Sequence, residues 1–367
     1  MKKFLFWTAL ASVALTGCVK NDVEPNPSLG QDVEITFNQP VVGKITKAHE
    51  GEISNATYPT TESFIVHAWA HEGDFDPDAS PAPTVYINQQ VTEHFNGSII
   101  AAGAPGDDGD ETWRINPPYY WPKTHKLTFT AYSPKEMKTY ASIDAKTGIK
   151  LTDVVIGNEV NKHRDILYSN RVYNQTYPEY DFDTDNDELI GVDIQFHHAL
   201  ASVKVMVTAL ENYAPTNAIT INKIWFDNVE MKGTFTEGLT LGTESLSTGS
   251  WTTPTETNND LNLKGGDVAI DEKYPNVVQY GSTALLIPQN LDGYLNVTYT
   301  ITNPNGTTQI QETKAFKLSE QTSGLTPIDK WEQSKRYTYT LTFGLNEIYL
   351  APQVENWTPV TMSDINI

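Results

Sequence analysis

The feature that most restricts this chain is an apolar pattern of period two that recurs along nearly its whole length past residue 30. Successive side chains of a strand point to opposite faces, so such alternation describes strands with one face buried. It is plain in Val33-Glu34-Ile35-Thr36-Phe37, in Phe64-Ile65-Val66-His67-Ala68-Trp69 and in Lys126-Leu127-Thr128-Phe129-Thr130-Ala131-Tyr132. It returns in Leu295-Asn296-Val297-Thr298-Tyr299-Thr300-Ile301 and in Tyr337-Thr338-Tyr339-Thr340-Leu341-Thr342-Phe343. Thr, Val, Ile and Tyr fill these runs, the residues that suit a pleated, half-buried surface. Turn chemistry separates them: Gly-Asp-Asp-Gly at 106–109, Asp-Gly at 292–293, Asn-Pro-Asn-Gly at 303–306. No stretch sustains a helical period, and strands joined by turns without helices predict an all-β fold of antiparallel sandwiches.

A chain of 367 residues exceeds one ordinary core and predicts two domains. The acidic stretch 181–188 (DFDTDNDE) suggests the boundary, with one sandwich at 31–190 and a second at 191–367. Residues 192–208 (VDIQFHHALASVKVMVT) read as one long strand opening the second.

Charge narrows the partners. With 25 basic against 46 acidic residues the net charge is −21, which argues against nucleic acid, whose binding needs a positive surface that releases counterions, and against docking on anionic headgroups. Hydrophobic residues make up 39%, enough apolar material to exclude a disordered chain.

The N-terminus carries an export pattern. Met1-Lys2-Lys3 is basic and residues 4–15 (FLFWTALASVAL) are apolar, too short for the about 20 residues a membrane-spanning helix needs. Leu15, Thr16, Gly17 and Cys18 follow as a sequence that resembles the bacterial lipobox. Residues 1–17 are then the signal peptide, Cys18 the lipidated residue and 18–30 a polar tether. Cys18 is the only cysteine, so the expected mature chain has no disulfide.

Metal and catalytic patterns are poor. Asp181, Asp183, Asp185 and Asp187 alternate like the start of a calcium loop, but Asn186 stands where the loop needs Gly and Val192 where it needs Glu. His67 and His71 share a strand face about 13 Å apart, too far to chelate one ion, and His197 and His198 point to opposite faces. There is no Gly-x-Ser-x-Gly elbow and no phosphate loop, and nothing in the carboxylate spacing selects a catalytic pair. No enzyme and no cofactor are expected. Eight Trp and 18 Tyr can fill cores or build a sugar-stacking platform.

Several blocks, taken in order, resemble the fimbrillin family of surface pilus proteins. Residues 113–122 (WRINPPYYWP) lead into 127–134 (LTFTAYSP), followed by Asp165-Ile166-Leu167-Tyr168-Ser169 and 194–205 (IQFHHALASVKV). Leu285-Leu286-Ile287-Pro288-Gln289, then 335–341 (KRYTYTL) and Val354-Glu355-Asn356-Trp357 complete the order. The resemblance implies two transthyretin-like β-sandwiches in tandem and export as a lipoprotein to the outer membrane and cell surface. It also implies assembly by strand exchange with other fimbrial subunits, as shaft, tip or anchor. In polymerising members a protease removes the first strand, and a strand from another subunit fills the groove. Here residues 33–40 fit the first strand through Val33, Ile35 and Phe37, and Lys44 or Lys47 fits the cut. Lys47 stands where the family's Thr-Arg-Ala pattern has Arg. The rival expectation is a monomeric surface lipoprotein that binds glycans through exposed aromatics; a host protein or a glycan is the expected outside partner in either case.

Overall fold

Alternation becomes pairing along most of the chain. The structure, a computed structural model, describes residues 34–42, 53, 57–96, 111–176, 191–210, 218–238, 249–253, 259–263, 266–270, 277–303, 305–324, 326–344 and 348–356. Among them are strands and three short 3-10 helices, and no α-helix. The expected all-β class holds. No helix of the described residues is long and apolar enough to cross a membrane.

The first strands are β1 (Thr36–Phe37), β2 (Ser63–His71), β3 (Thr84–Asn96), β4 (Glu111–Asn116) and β5 (Lys126–Ser133). Next come β6 (Ala141–Asp144), β7 (Gly148–Val155), β8 (Leu167–Ser169), β9 (Val172–Gln175) and β10 (Phe196–His198). Then follow β11 (Ala201–Ala209), β12 (Ala218–Val229), β13 (Lys232–Thr236), β14 (Ser250–Thr252), β15 (Asn259–Asn262) and β16 (Val268–Ile270). The chain continues through β17 (Val278–Leu286), β18 (Gln289–Asn290), β19 (Tyr294–Thr302), β20 (Thr308–Lys317) and β21 (Thr322–Ser323). It finishes with β22 (Thr326–Pro327), β23 (Lys330–Trp331), β24 (Lys335–Phe343) and β25 (Ile348–Asn356).

One sheet runs β1-β4-β3-β2-β5-β8-β10, with β9 beside β5. Its inner face buries Phe64, Val66, Ala68, Leu127 and Phe129, the residues that alternation marks. A second core lies between the sheet β17-β11-β24-β25 and the sheet β15-β12-β19-β20. Phe226 of β12 meets Tyr339 of β24 at 5.8 Å between ring centroids, and Tyr299 of β19 meets Phe343 at 5.5 Å. Between the named strands the pairing is antiparallel except that β11 and β24 run parallel, and the isolated bridges Phe37–Val192 and Val41–Gln195 are parallel too. Most of the second half of the chain separates those two strands, ample for the crossover that parallel neighbours need.

The stretch expected as one strand over 192–208 is two. The chain leaves the first sheet after His198, turns through Ala199 and Leu200, and enters a different sheet as β11. Both turn residues are buried, and their carbonyls accept hydrogen bonds from the Trp251 indole at 2.6 Å and the Ser334 amide at 3.1 Å. Those tertiary bonds replace ladder bonds at the switch, which no local pattern reveals.

The suggested boundary at 181–188 lies outside the described residues. Pairing crosses position 190 in both directions. β10 belongs to the first sheet, while β6 and β7 join β13 and β14 in a four-stranded sheet. In that sheet Leu151 stands opposite Phe235, which touches Tyr168 at 4.9 Å and Trp251 at 5.5 Å.

Candidate functional site

The segment expected to be exchangeable sits in the first sheet. Thr36 and Phe37 pair with Arg114 and Trp113 of β4, and the Ile35 amide donates to the Tyr119 carbonyl at 2.8 Å. The other edge of the segment is also occupied. Val192 donates to the Thr36 carbonyl at 2.9 Å, and Asn38 donates to Val192 at 3.2 Å. Val41 donates to Ile194 at 3.1 Å, and Phe196 donates back to Val41 at 2.9 Å. The run 191–196 leads into β10 at the far end of the sheet order, so the first segment closes the sheet on itself. Removing it would bare two edges at once.

Side chains fill the slot beneath. Ile35, Phe37, Val41 and Val42 are all buried. The Phe37 ring stands edge-on between Phe64 at 5.9 Å and Phe129 at 5.8 Å. Tyr58 closes the wall against Phe64, Trp113 and Phe196. Its hydroxyl donates to the Ser63 carbonyl and meets Ser133 Oγ at 2.7 Å, while burial pushes its pKa up. The Tyr58 amide holds the Pro40 carbonyl at 2.8 Å, and the Gln39 side chain holds the Tyr58 carbonyl at 2.8 Å. Four such side chains at ~1.5–3 kcal/mol each contribute on the order of 10 kcal/mol before ordering costs.

Polar groups set the register. Glu34 takes both Nε and Nη2 of Arg114 in a forked ion pair, and that hydrogen bonding raises the arginine pKa. Asn38 bonds the backbone of Gly191 and the carboxylate of Asp193. Trp121 is buried against Phe129.

The imidazoles are structural parts of the walls. His197 Nε2 meets Asn170 at 2.8 Å, and His198 Nδ1 meets the buried Asp165 carboxylate at 2.8 Å. His67 and His71 are buried on one face of β2, His71 bonded to Thr128. Asp165 also lines a cavity of about 140 Å³ with Ile53, Glu62, Ser133 and Arg164. No cluster of three metal-ligating side chains occurs among the described residues.

Of the residues singled out by sequence, the structure brings Ile35 and Phe37 together in this slot. Val33, Lys44 and Lys47 lie outside the described residues, as do Leu15, Thr16, Gly17, Cys18 and the calcium candidates Asp181, Asp183 and Asp185. Sequence reasoning did not find Arg114, Tyr58 or Gly191 as partners of the first segment, nor the bond pair that Asn38 makes to Gly191. The pairing of residues 34–42 with 191–196 spans more than 150 positions and leaves no local signal.

Comparison with known proteins agrees with this architecture. A fimbrillin-like family model matches residues 60–357. A fimbrial protein from Bacteroides vulgatus has a solved structure with a TM-score of 0.51 at 16% identity, covering 88% of this chain and 100% of its own. Proteins assigned to cell adhesion from Bacteroides uniformis and Bacteroides ovatus give TM-scores of 0.49 and 0.44 at 14% and 13% identity. Each covers 89% of this chain, and 99% and 98% of its own. No curated protein matches the chain. With its order of sequence blocks matched by a family model across both cores, this chain belongs to the fimbrillin-like family.

Proposed function

We propose that this chain is a cell-surface fimbrial subunit with a structural and adhesive role, and that residues 34–42 are its exchangeable strand. The observation that carries this reading is that one short segment is bonded along both edges and buries four apolar side chains. An incoming strand would regain both ladders and fill the same alternate pockets, the general mode of strand addition. The family supports association with other fimbrial subunits and a place at the cell surface.

In this reading Cys18 carries the lipid during export, and a cut after Lys44 or Lys47 frees the segment. An acidic surface that repels its neighbours keeps unpolymerised subunits apart until the slot is refilled. N-terminal sequencing of protein sheared from cells, beside electron microscopy of the same material, tests it. Fibres whose subunits begin after Lys44 or Lys47 support the reading. Fibres in which every subunit retains lipidated Cys18 overturn the cleavage step. Sheared material without fibres favours the monomeric alternative.

A further inference from the structure

The outer face of the sheet β15-β12-β19-β20 carries a tryptophan that neither core explains. Trp69, Trp113, Trp121 and Trp331 are buried, and Trp251 packs against the second core. Trp225 is half-buried and belongs to neither core. Its indole N–H takes no partner among the described residues. Neighbours on the core side, Ile224 and Phe226, are buried, so alternation along β12 turns Trp225 to the opposite face.

Amides flank it on both sides. Asn262 of β15 and Asn296 of β19 are its cross-strand partners, at the spacing of about 5 Å that lets facing side chains act together. Two residues along β12, Asp227 is held in place. The Tyr294 amide donates to Oδ1 at 2.6 Å, and Asn296 Nδ2 donates to Oδ2 at 3.0 Å. Each carboxylate oxygen keeps a further lone pair for an outside donor. The turn that brings Tyr294 there needs Gly293: a Cβ on it would lie 2.2 Å from the Asp227 carbonyl and 2.9 Å from its Oδ1. Tyr294 itself is exposed.

We infer that this face is a binding site for a neutral oligosaccharide, with Trp225 stacking on the apolar face of a sugar ring. Asp227 accepts hydrogen bonds from hydroxyls and exposed Asn262 adds a polar contact, while buried Asn296 holds the carboxylate in place. A pyranose pairs a C–H face with a rim of hydroxyls, and an indole beside an oriented carboxylate and an exposed amide matches both. A single carboxylate does not make a cation site, and no three-ligand cluster gathers among the described residues. Lys223 Nζ lies 4.3 Å from the Trp225 ring centroid, so a flexible ammonium now covers an aromatic face that a sugar would take. This inference supplies a ligand for the adhesive role and does not depend on strand exchange.

The test uses the full-length protein labelled with 5-fluorotryptophan, its Trp225 resonance identified by its loss in Trp225→Phe. The probes are maltoheptaose, mannopentaose and a poly-N-acetyllactosamine oligomer. The expected result is a saturable shift of that resonance with at least one probe. Trp225→Ala and Asp227→Asn should each weaken binding by about tenfold or more in protein that circular dichroism shows to be folded at the assay temperature. Should Trp225→Ala fail to fold, Asp227→Asn and Asn262→Ala carry the test alone. No shift with any probe at millimolar concentration overturns the site, as does undiminished binding by the folded variants. Fibre assembly, measured in parallel, reports on strand exchange and is expected to be unaffected by these substitutions.

Discussion

Asn38 and Gly191 clasp one another: Asn38 Nδ2 donates to the Gly191 carbonyl at 3.1 Å, and the Gly191 amide returns a bond to Asn38 Oδ1 at 3.0 Å. The approach leaves no room for a side chain, since a Cβ on Gly191 would lie 2.5 Å from the Asn38 amide nitrogen. Because that contact is with backbone, no rotamer change relieves it. Gly191→Ala should therefore cost roughly 2–4 kcal/mol and loosen the first segment selectively. Hydrogen exchange of amides 35–42 should accelerate more than that of β11 or β24. Equal acceleration everywhere would show that the clasp does not govern the segment.

Phe37 reports the worth of the slot. It is fully buried between two phenylalanine rings, so Phe37→Ala should cost about 3–5 kcal/mol and Phe37→Leu clearly less. Urea midpoints at constant slope measure both. A loss under about 1 kcal/mol for the alanine variant would mean that the slot collapses readily and offers an incoming strand little.

Stability should fall as the medium turns mildly acidic. Burial, helped by nearby Arg171, holds the His67 pKa down to about 4. Burial, helped by His198, does the same for His197. Both rings stay neutral in the folded protein down to that range, whereas the unfolded chain takes up their protons near the ordinary value of 6.5. Stability is thus unaffected by these groups above about pH 6.5 and drains between there and about pH 4, on the order of 2–3 kcal/mol per ring. The combined variant His67→Phe with His197→Gln should flatten that slope. A wild-type midpoint that stays level from pH 7 to 4.5 would contradict it.

Phe235 ties strands from before and after position 190 into one unit, through Leu151, Tyr168 and Trp251. The protein should melt in a single calorimetric transition, and Phe235→Ala should lower it by about 3–5 kcal/mol of stability or split it in two. Two well-separated wild-type transitions would show that the shared sheet does not couple the cores.

Much of the fold is legible because strand alternation is a local property. Phe64, Val66 and Ala68 declare one face of β2, and Tyr337, Tyr339 and Leu341 one face of β24, without any knowledge of partners. What stayed hidden depends on pairs far apart. His198, Ala199, Leu200 and Ala201 form an unbroken apolar-compatible run, so only the Trp251 and Ser334 bonds disclose the switch between sheets. The first segment was legible as a strand through Ile35 and Phe37, but the edge it shares with Val192 and Ile194 was not. Trp225 fits period two equally well facing in or out, and only the packing decides.

The four-stranded sheet drawn from both sides of position 190 has a mechanical meaning. Traction applied to one half of the molecule reaches the other through the β7–β13 ladder and the tight passage at Ala199 and Leu200. The two halves share that load across many bonds at once, so a tug that would extend a simple linker must here tear strands from a common ladder.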